Sequence, residues 1–179
     1  MQKIFESDRL YFRRFTFKDV GRVTYLFNDE EVSKYFSSLP FPYKESHAKE
    51  WIGHQNENFK YDLVYDFAIV DKRDDRIIGS ISMFNVVKHK KTSIGYMIGR
   101  DYWGRGYATE ALKAVIEYAF SIKGFHKLYA QFIEGNLASE RVMQKAGMIF
   151  ESKRYHEVLK NDRFLNTIVY YLLNDTNVD

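Results

Sequence analysis

A glycine-rich turn between a strand-like segment and an amphipathic helix constrains this chain more than any other feature. The strand-like segment ends at Gly99, Gly104 and Gly106 follow, and apolar residues then recur at helical spacing from Ala108. A helix that begins directly after such a turn points several backbone N–H groups at one spot, and its dipole adds positive potential there. Glycine lets the backbone approach a ligand closely, and Arg105 supplies a full charge. The segment therefore predicts a binding site for a diphosphate.

Three kinds of phosphate-binding turn can be compared with this segment. A Walker loop needs Gly-Lys-Ser or Gly-Lys-Thr, and the chain contains neither tripeptide. A Rossmann turn needs a third glycine or an alanine where this chain has Thr109, and it needs a βαβ unit around it. The remaining pattern is the coenzyme A turn, which the chain matches from Trp103 to Ala108.

Composition narrows the class of protein. The chain has 179 residues, 45% of them hydrophobic, no cysteine and a formal net charge of +3. This length suits one domain, here 1–179, and the lack of cysteine excludes disulfides, zinc–thiolate sites and a cysteine nucleophile. The five histidines show no metal-ligand spacing, so no metal is expected. No apolar segment approaches the ~20 residues of a membrane helix, and the N-terminal residues show no signal-peptide pattern. We therefore expect a cytoplasmic protein without a membrane or nucleic-acid partner.

The hydrophobic pattern predicts an α/β chain with a mixed, mostly antiparallel sheet flanked by helices. Three strands joined by short turns should form an antiparallel meander, and a strand–helix–strand unit after them implies one parallel pair. The predicted strands cover 9–15, 67–70, 76–87, 92–99, 127–133, 149–158 and 164–173. The predicted helices cover 16–27, 45–59, 108–122 and 137–146.

Several segments, in the right order, resemble the GNAT superfamily of acyl-CoA-dependent N-acetyltransferases. The turn and helix at 103–112 are similar to that family's pyrophosphate loop, and 136–148 matches its second motif, with Met148 in place of phenylalanine. Segment 8–14 resembles the opening strand of the ribosomal-protein N-terminal acetyltransferase (RimJ/RimL-like) branch, and 94–98 resembles another of its strands. The resemblance implies the GNAT acyl-CoA N-acyltransferase fold, acetyl-CoA as the acyl donor, and a homodimer as a frequent assembly.

The resemblance also assigns residues to an acetyl-CoA site. The strand before the turn would bind the pantetheine arm and offer a backbone N–H to the thioester oxygen, while the turn would hold the diphosphate. Asn136 is equally suited to cap a helix, and Lys145 equally suits the negative end of a helix dipole. The predicted cofactor-binding residues are Tyr96, Met97, Ile98, Gly104, Arg105, Gly106, Tyr107, Ala108, Thr109, Asn136 and Lys145.

The implied chemistry is direct transfer in a ternary complex, without an acyl-enzyme. Many family members protonate the leaving thiolate with a tyrosine where this chain has Met143. The RimJ/RimL-like branch has a serine one helical turn after this asparagine, so the resemblance makes Ser139 the predicted catalytic donor, although a packing or capping role would also suit it. The general base stays open, because Ser93 and Asn166 stand where the branch often has acids. The glutamates that remain as candidates are Glu134, Glu151 and Glu157.

The acceptor amine is open between two classes. An α-amine with a pKa near ~8 is about a tenth neutral at pH 7, whereas an alkylamine near ~10.4 is neutral at only a few parts in ten thousand. Without an evident strong base, the chain favours the α-amine of a protein or peptide N-terminus. A small amine, such as a polyamine or an antibiotic, is the alternative, and a non-catalytic CoA-binding module is a third reading. The aromatic segments 36–43 and 155–164 are predicted to line the acceptor pocket.

Overall fold

Eight strands form one mixed sheet in the computed structural model, which describes residues 2–36 and 38–174 and, at Asn56, the backbone alone. The spatial order follows the chain from β1 to β6, after which β8 lies between β6 and β7. Among the strands of the described residues, only β5 and β6 pair in parallel. The strands are β1 (Phe5–Glu6), β2 (Leu10–Arg13), β3 (Val64–Asp71), β4 (Arg76–Val86), β5 (Lys91–Ile98), β6 (Lys127–Ile133), β7 (Ile149–Lys160) and β8 (Arg163–Leu173).

Helices cover both faces of the sheet. They are α1 (Val20–Phe27), α2 (Glu30–Ser33), α3 (Glu45–Lys60), α4 (Tyr107–Glu117), which runs on into a π-helical turn, and α5 (Leu137–Lys145). Because side chains alternate along a strand, each buried strand contributes to two cores. In β3, Phe67 and Ile69 pack in the core with α4, whereas Ala68 and Val70 pack in the core with α1 and α3.

The predicted fold class and the single parallel pair are confirmed. Strand 127–133 is reproduced, the helix predicted over 45–59 ends at Lys60, and the first predicted strand is shorter, at Leu10–Arg13. Two short elements were not predicted. The strand β1 has only two residues, too few for a periodic pattern, and α2 is a single turn capped by Asp29, whose side chain accepts from two backbone N–H groups.

The predicted single domain is not tested by these observations and stays a prediction, and residues 1, 37 and 175–179 of its range lie outside the described residues. Within residues 2–36 and 38–174, no helix is both long and apolar enough to span a membrane. The same residues contain no cluster of three or more histidine, aspartate or glutamate side chains suited to hold a metal ion.

Candidate active site

The site opens where β5 and β6 separate. The two strands pair only from Lys91 to Ile94 on β5 and from Lys127 to Ala130 on β6. Beyond Ile94, the edge of β5 that faces β6 has no strand partner in the part of the chain that the structure describes. A cavity of about 1240 Å³ occupies this gap and continues over the face of the sheet that α1 and α3 cover.

Backbone groups of β5 line this gap. The N–H of Gly99 donates to Ile78 O of β4 at 2.9 Å, and groups in an antiparallel ladder alternate between the two sides. Tyr96 and Ile98 therefore direct their N–H and C=O groups into the gap, whereas those of Met97 face β4. Trp103 Nε1 donates to Ile98 O at 2.7 Å and so ties the turn to the end of the strand. Met97 lines the cavity with its side chain.

The glycine turn after β5 has the geometry expected of a phosphate site. Gly104 and Gly106 have φ of +73° and +80°, the left-handed region that glycine adopts without strain. Helix α4 begins at Tyr107, and the first intrahelical bond runs from Glu110 N–H to Gly106 O. The N–H groups of residues 107–109 are thus the unpaired first turn of the helix. A Cβ on Gly104 would meet nothing within 4 Å, so the turn is open for a ligand.

Side chains of the N-terminal segment contact this turn and the start of α4, which the sequence did not predict. Arg9 Nη1 donates to Arg105 O at 3.0 Å, and its Nε donates to Glu110 at 2.6 Å. Ser7 Oγ donates to the same carboxylate at 2.7 Å. These contacts hold the backbone of Arg105 in place.

Tyr107 is anchored in the protein by its side chain. Its hydroxyl donates to Asp71 at 2.7 Å and accepts from Arg73 at 2.8 Å. Hydrogen bonds from Arg73 hold the pKa of the Asp71 carboxyl well below its usual range. Any contact of Tyr107 with a diphosphate would therefore come from its backbone N–H.

The second motif lies across the gap at the start of α5. Asn136 caps this helix, since its Oδ1 accepts from Ser139 N–H at 3.2 Å. Ser139 Oγ lies 2.7 Å from the Tyr96 hydroxyl, a contact that joins α5 to β5. Burial raises the pKa of Tyr96 to about 12, so its hydroxyl stays protonated at neutral pH. Asn136, Ser139 and Lys145 all line the cavity.

Aromatic side chains and hydroxyls line the other part of the cavity, over the face with α1 and α3. Within the predicted segment 36–43, Phe36, Ser38, Leu39, Pro40 and Tyr43 line it, and Ser37 lies outside the described residues. Of the predicted segment 155–164, only Val158 lines the cavity. The aromatic lining residues on this side are Phe27, Tyr35, Phe36, Tyr43, Trp51, Phe84 and Tyr129.

The three glutamates left open as bases lie outside this lining. Glu134 is held by Lys153 at 2.6 Å and by Asn166 at 2.8 Å, and these hydrogen bonds lower its pKa. Glu151 pairs with Lys127, and Glu157 pairs with Arg154 at 3.0 Å. Among the described residues that line the cavity, Glu50 alone carries a carboxylate.

Comparison with known proteins finds acetyltransferases similar to this chain. The family model of the acetyltransferase (GNAT) domain matches residues 9–149. The uncharacterized N-acetyltransferase YnaD of Bacillus subtilis (strain 168) is 30% identical over 169 residues, which are 94% of this chain and 96% of that protein. Spermidine N(1)-acetyltransferase of Escherichia coli (strain K12) is 29% identical over 114 residues, 59% of this chain and 61% of that one.

The fold has counterparts among solved structures. The ribosomal-protein-S5-alanine acetyltransferase from Vibrio fischeri superimposes with a TM-score of 0.86 at 22% identity, over 98% of each chain. The predicted resemblance is confirmed, because the family model covers most of the chain and the relative YnaD matches nearly all of it. The chain therefore belongs to the GNAT acetyltransferase family and is an N-acetyltransferase that passes an acetyl group from acetyl-CoA to an amine.

Proposed function

We propose that the acceptor is the α-amine of a protein or peptide N-terminus. The observation that carries this proposal is the charge of the acceptor side, where Glu50 is the one carboxylate among the described lining residues. A polyamine presents several cations, and a site for it would be expected to hold several carboxylates. A peptide presents one cation at its N-terminus, which a single carboxylate can match.

The rest of the acceptor side suits a short peptide. Tyr35 and Trp51, which are half-buried, offer flat apolar surface for the first side chains of such a peptide. Thr167 lines the cavity, and its buried hydroxyl has no hydrogen-bond partner among the described residues.

We further propose that the predicted cofactor residues hold acetyl-CoA in two groups. The first-turn N–H groups of α4 and the Arg105 guanidinium suit the diphosphate, and the left-handed glycines allow its close approach. Both backbone groups of Tyr96 and the N–H of Ile98 suit an extended arm that lies in the gap as an added strand partner, since the Ile98 carbonyl already accepts from Trp103. Asn136 and Lys145 border the same cavity from α5.

Acetyl-CoA supplies an activated acyl group, and the chain must stabilise charge and move protons around it. A backbone N–H of β5 in the gap would donate to the carbonyl oxygen as negative charge develops there. Ser139 would protonate the departing sulfur, and the Tyr96 hydroxyl at 2.7 Å would in turn donate to Ser139 Oγ. This contact extends the predicted role of Ser139, because tyrosine and serine act as one donor pair.

We also propose, from the predictions above, that the chain acts as one domain in the cytoplasm and forms a homodimer. One continuous sheet from β1 to β7 supports a single domain. Exposed apolar side chains on the β7–β8 hairpin, Tyr155 and Phe164 among them, support self-association. Sedimentation of the purified chain would measure its oligomeric state.

A second candidate acceptor is a polyamine, which the sequence similarity to a spermidine acetyltransferase favours. A free-thiol assay with acetyl-CoA separates the two candidates, and the chain has no cysteine to add background. We expect thiol release with peptides that carry a free N-terminus and little release with spermidine. The matched control is the same peptides with the α-amine already acetylated. Release with spermidine and none with free peptides would contradict the proposed acceptor.

A further inference from the structure

A buried carboxylate lies beside the acceptor part of the cavity. Asp66 stands in the middle of β3 and is only 3% exposed. Its Oδ1 accepts a hydrogen bond of 2.5 Å from Ser82 Oγ of β4. The register places Asp66 opposite Ser82, and Ser82 opposite Gly95 of β5. The three residues therefore form one row across the sheet, on the face that α1 and α3 cover.

This row leads to the gap between β5 and β6. Ser82 and Gly95 both line the cavity. Because Gly95 has no side chain, nothing on β5 covers the Ser82 hydroxyl from that side, and a Cβ there would lie 3.3 Å from the Phe84 ring. Since the Ser82 proton points to Asp66, the hydroxyl lone pairs are left to accept a hydrogen bond from a group in the cavity.

The absence of a cation beside Asp66 sets it apart from an ordinary structural carboxylate. The other two buried aspartates among the described residues each pair with an arginine: Asp19 with Arg13 at 2.8 Å and Asp71 with Arg73 at 2.7 Å. The described residues place no such cation on Asp66. Burying an unpaired carboxylate costs free energy, and such groups concentrate at functional sites.

We propose that the Ser82 hydroxyl accepts a hydrogen bond from the acceptor amine and that Asp66, behind it, takes the proton. The ammonium loses one proton to Ser82 Oγ as the Ser82 proton passes to Asp66. The neutral nitrogen then forms the C–N bond, the C–S bond breaks, and its electron pair leaves on sulfur. Sulfur takes a proton from Ser139. The second proton of the nitrogen passes through water to restore the Ser139–Tyr96 pair, and the proton on Asp66 is released to bulk water. Ser82 is a catalytic residue in this scheme, and Asp66 is a positioning residue and proton acceptor.

Burial raises the pKa of Asp66, which makes its carboxylate a stronger base, and the Ser82 hydrogen bond offsets part of this rise. Charged or titratable groups also lie on the elements packed around this row. They are His47, Glu50 and His54 on α3, which line the cavity, and Arg13 and Arg14 at the end of β2 with Asp19. The inference rests on acetylation of an amine and does not depend on which amine it is.

The test compares Asp66→Asn, Ser82→Ala and the double variant with the wild type, using alanyl-phenylalanine amide as acceptor. The asparagine side chain keeps an oxygen for the Ser82 hydrogen bond but cannot take a proton. We expect kcat at pH 7 to fall about 100-fold in each single variant, the range of general-base catalysis, with no further fall in the double variant. The KM for acetyl-CoA should stay within about twofold, because neither side chain belongs to the proposed cofactor residues. Asp74→Asn removes a carboxylate from the exposed β3–β4 turn and is the matched control.

The pH profile distinguishes a proton acceptor from a structural residue. In Asp66→Asn, the rate should rise with pH up to the amine pKa near ~8, and the gap to the wild type should narrow there. A wild-type profile in Asp66→Asn with kcat little changed overturns the inference and leaves the proposed acceptor standing. If the wild type does not acetylate the dipeptide, the proposed acceptor is wrong. The inference about Asp66 is then tested by the pH dependence of the unfolding free energy. If the unfolding free energies of the wild type and of Asp66→Asn depend equally on pH, the Asp66 carboxylate is not unusually basic and the inference is overturned.

Discussion

Gly79 on β4 occupies a position where the structure leaves no room for a side chain. An ideal Cβ built there lies 2.1 Å from Met97 O of β5, and 3.0 Å and 3.1 Å from two atoms of Ile98. The nearest obstacle is a backbone oxygen, which cannot rotate away. For Gly79→Ala to reach ordinary contact at 3.4 Å, β4 and β5 must move apart by about 1.3 Å at this point.

The displaced backbone is the stretch that we propose binds the pantetheine arm. Overpacking of this kind costs up to about 3 kcal/mol, and we expect Gly79→Ala near that upper figure because strand pairing must shift. For a chain of this size the melting temperature should fall by about 6–12 °C. Affinity for acetyl-CoA should fall at least about tenfold, since Met97 and Ile98 move with the strand.

Thermal unfolding by circular dichroism and calorimetric titration with acetyl-CoA measure the two effects. Gly21→Ala is the matched control: Gly21 is exposed on α1, and a Cβ there meets nothing within 4 Å. That change should raise stability by about 1 kcal/mol, the helix preference for alanine, and leave binding unchanged. A Gly79→Ala protein with wild-type melting temperature and affinity would refute the placement of Met97 O against this glycine.

Three further predictions concern the site. Ser139→Ala should lower kcat more than Tyr96→Phe, because Ser139 is the proposed proton donor to sulfur and the Tyr96 hydroxyl, at 2.7 Å, donates a proton to Ser139 in turn. The KM for acetyl-CoA should be equal in both variants. A larger loss of kcat in Tyr96→Phe would reverse the assigned order. Gly106→Ala, at φ of +80°, should destabilise the turn by about 1–2 kcal/mol and weaken acetyl-CoA binding, as calorimetry can measure. The folded pKa of Asp66 is raised, so its contribution to stability is present below the unfolded pKa near ~3.9 and is lost as pH rises through the folded value. Asp66→Asn should therefore gain stability relative to the wild type above about pH 4 in urea titrations, and a constant difference would contradict the raised pKa.

The sequence predicts the architecture well because most elements carry periodic patterns and clear ends. The strand over 127–133 and the helix over 45–59 are bounded by turns and polar residues, so local pattern and tertiary structure agree. The short elements β1 and α2 lack such a pattern. They form because the sheet and the Asp29 cap favour them in place.

The parts of the site that one stretch of chain forms could be predicted from the sequence, whereas the contacts between distant segments could not. The glycine turn lies in one stretch of chain, so its geometry follows from local sequence. The contact of Tyr96 with Ser139 joins residues 43 positions apart, and the ion pair of Arg9 with Glu110 joins residues 101 positions apart. The row of Asp66 and Ser82 depends on strand register. A charged residue inside the apolar strand 64–70 was the signal that could have drawn attention to it.

The most direct test of the proposed function uses a peptide with two competing amines. Alanyl-phenylalanyl-lysine amide carries one α-amine and one ε-amine, and tandem mass spectrometry locates the acetyl group that the enzyme adds from acetyl-CoA. The cavity with Glu50 as the one lining carboxylate among the described residues, and the lower pKa of the α-amine, predict acetylation at the N-terminus. Acetyl transfer to the lysine side chain, with the α-amine left free, would contradict the account.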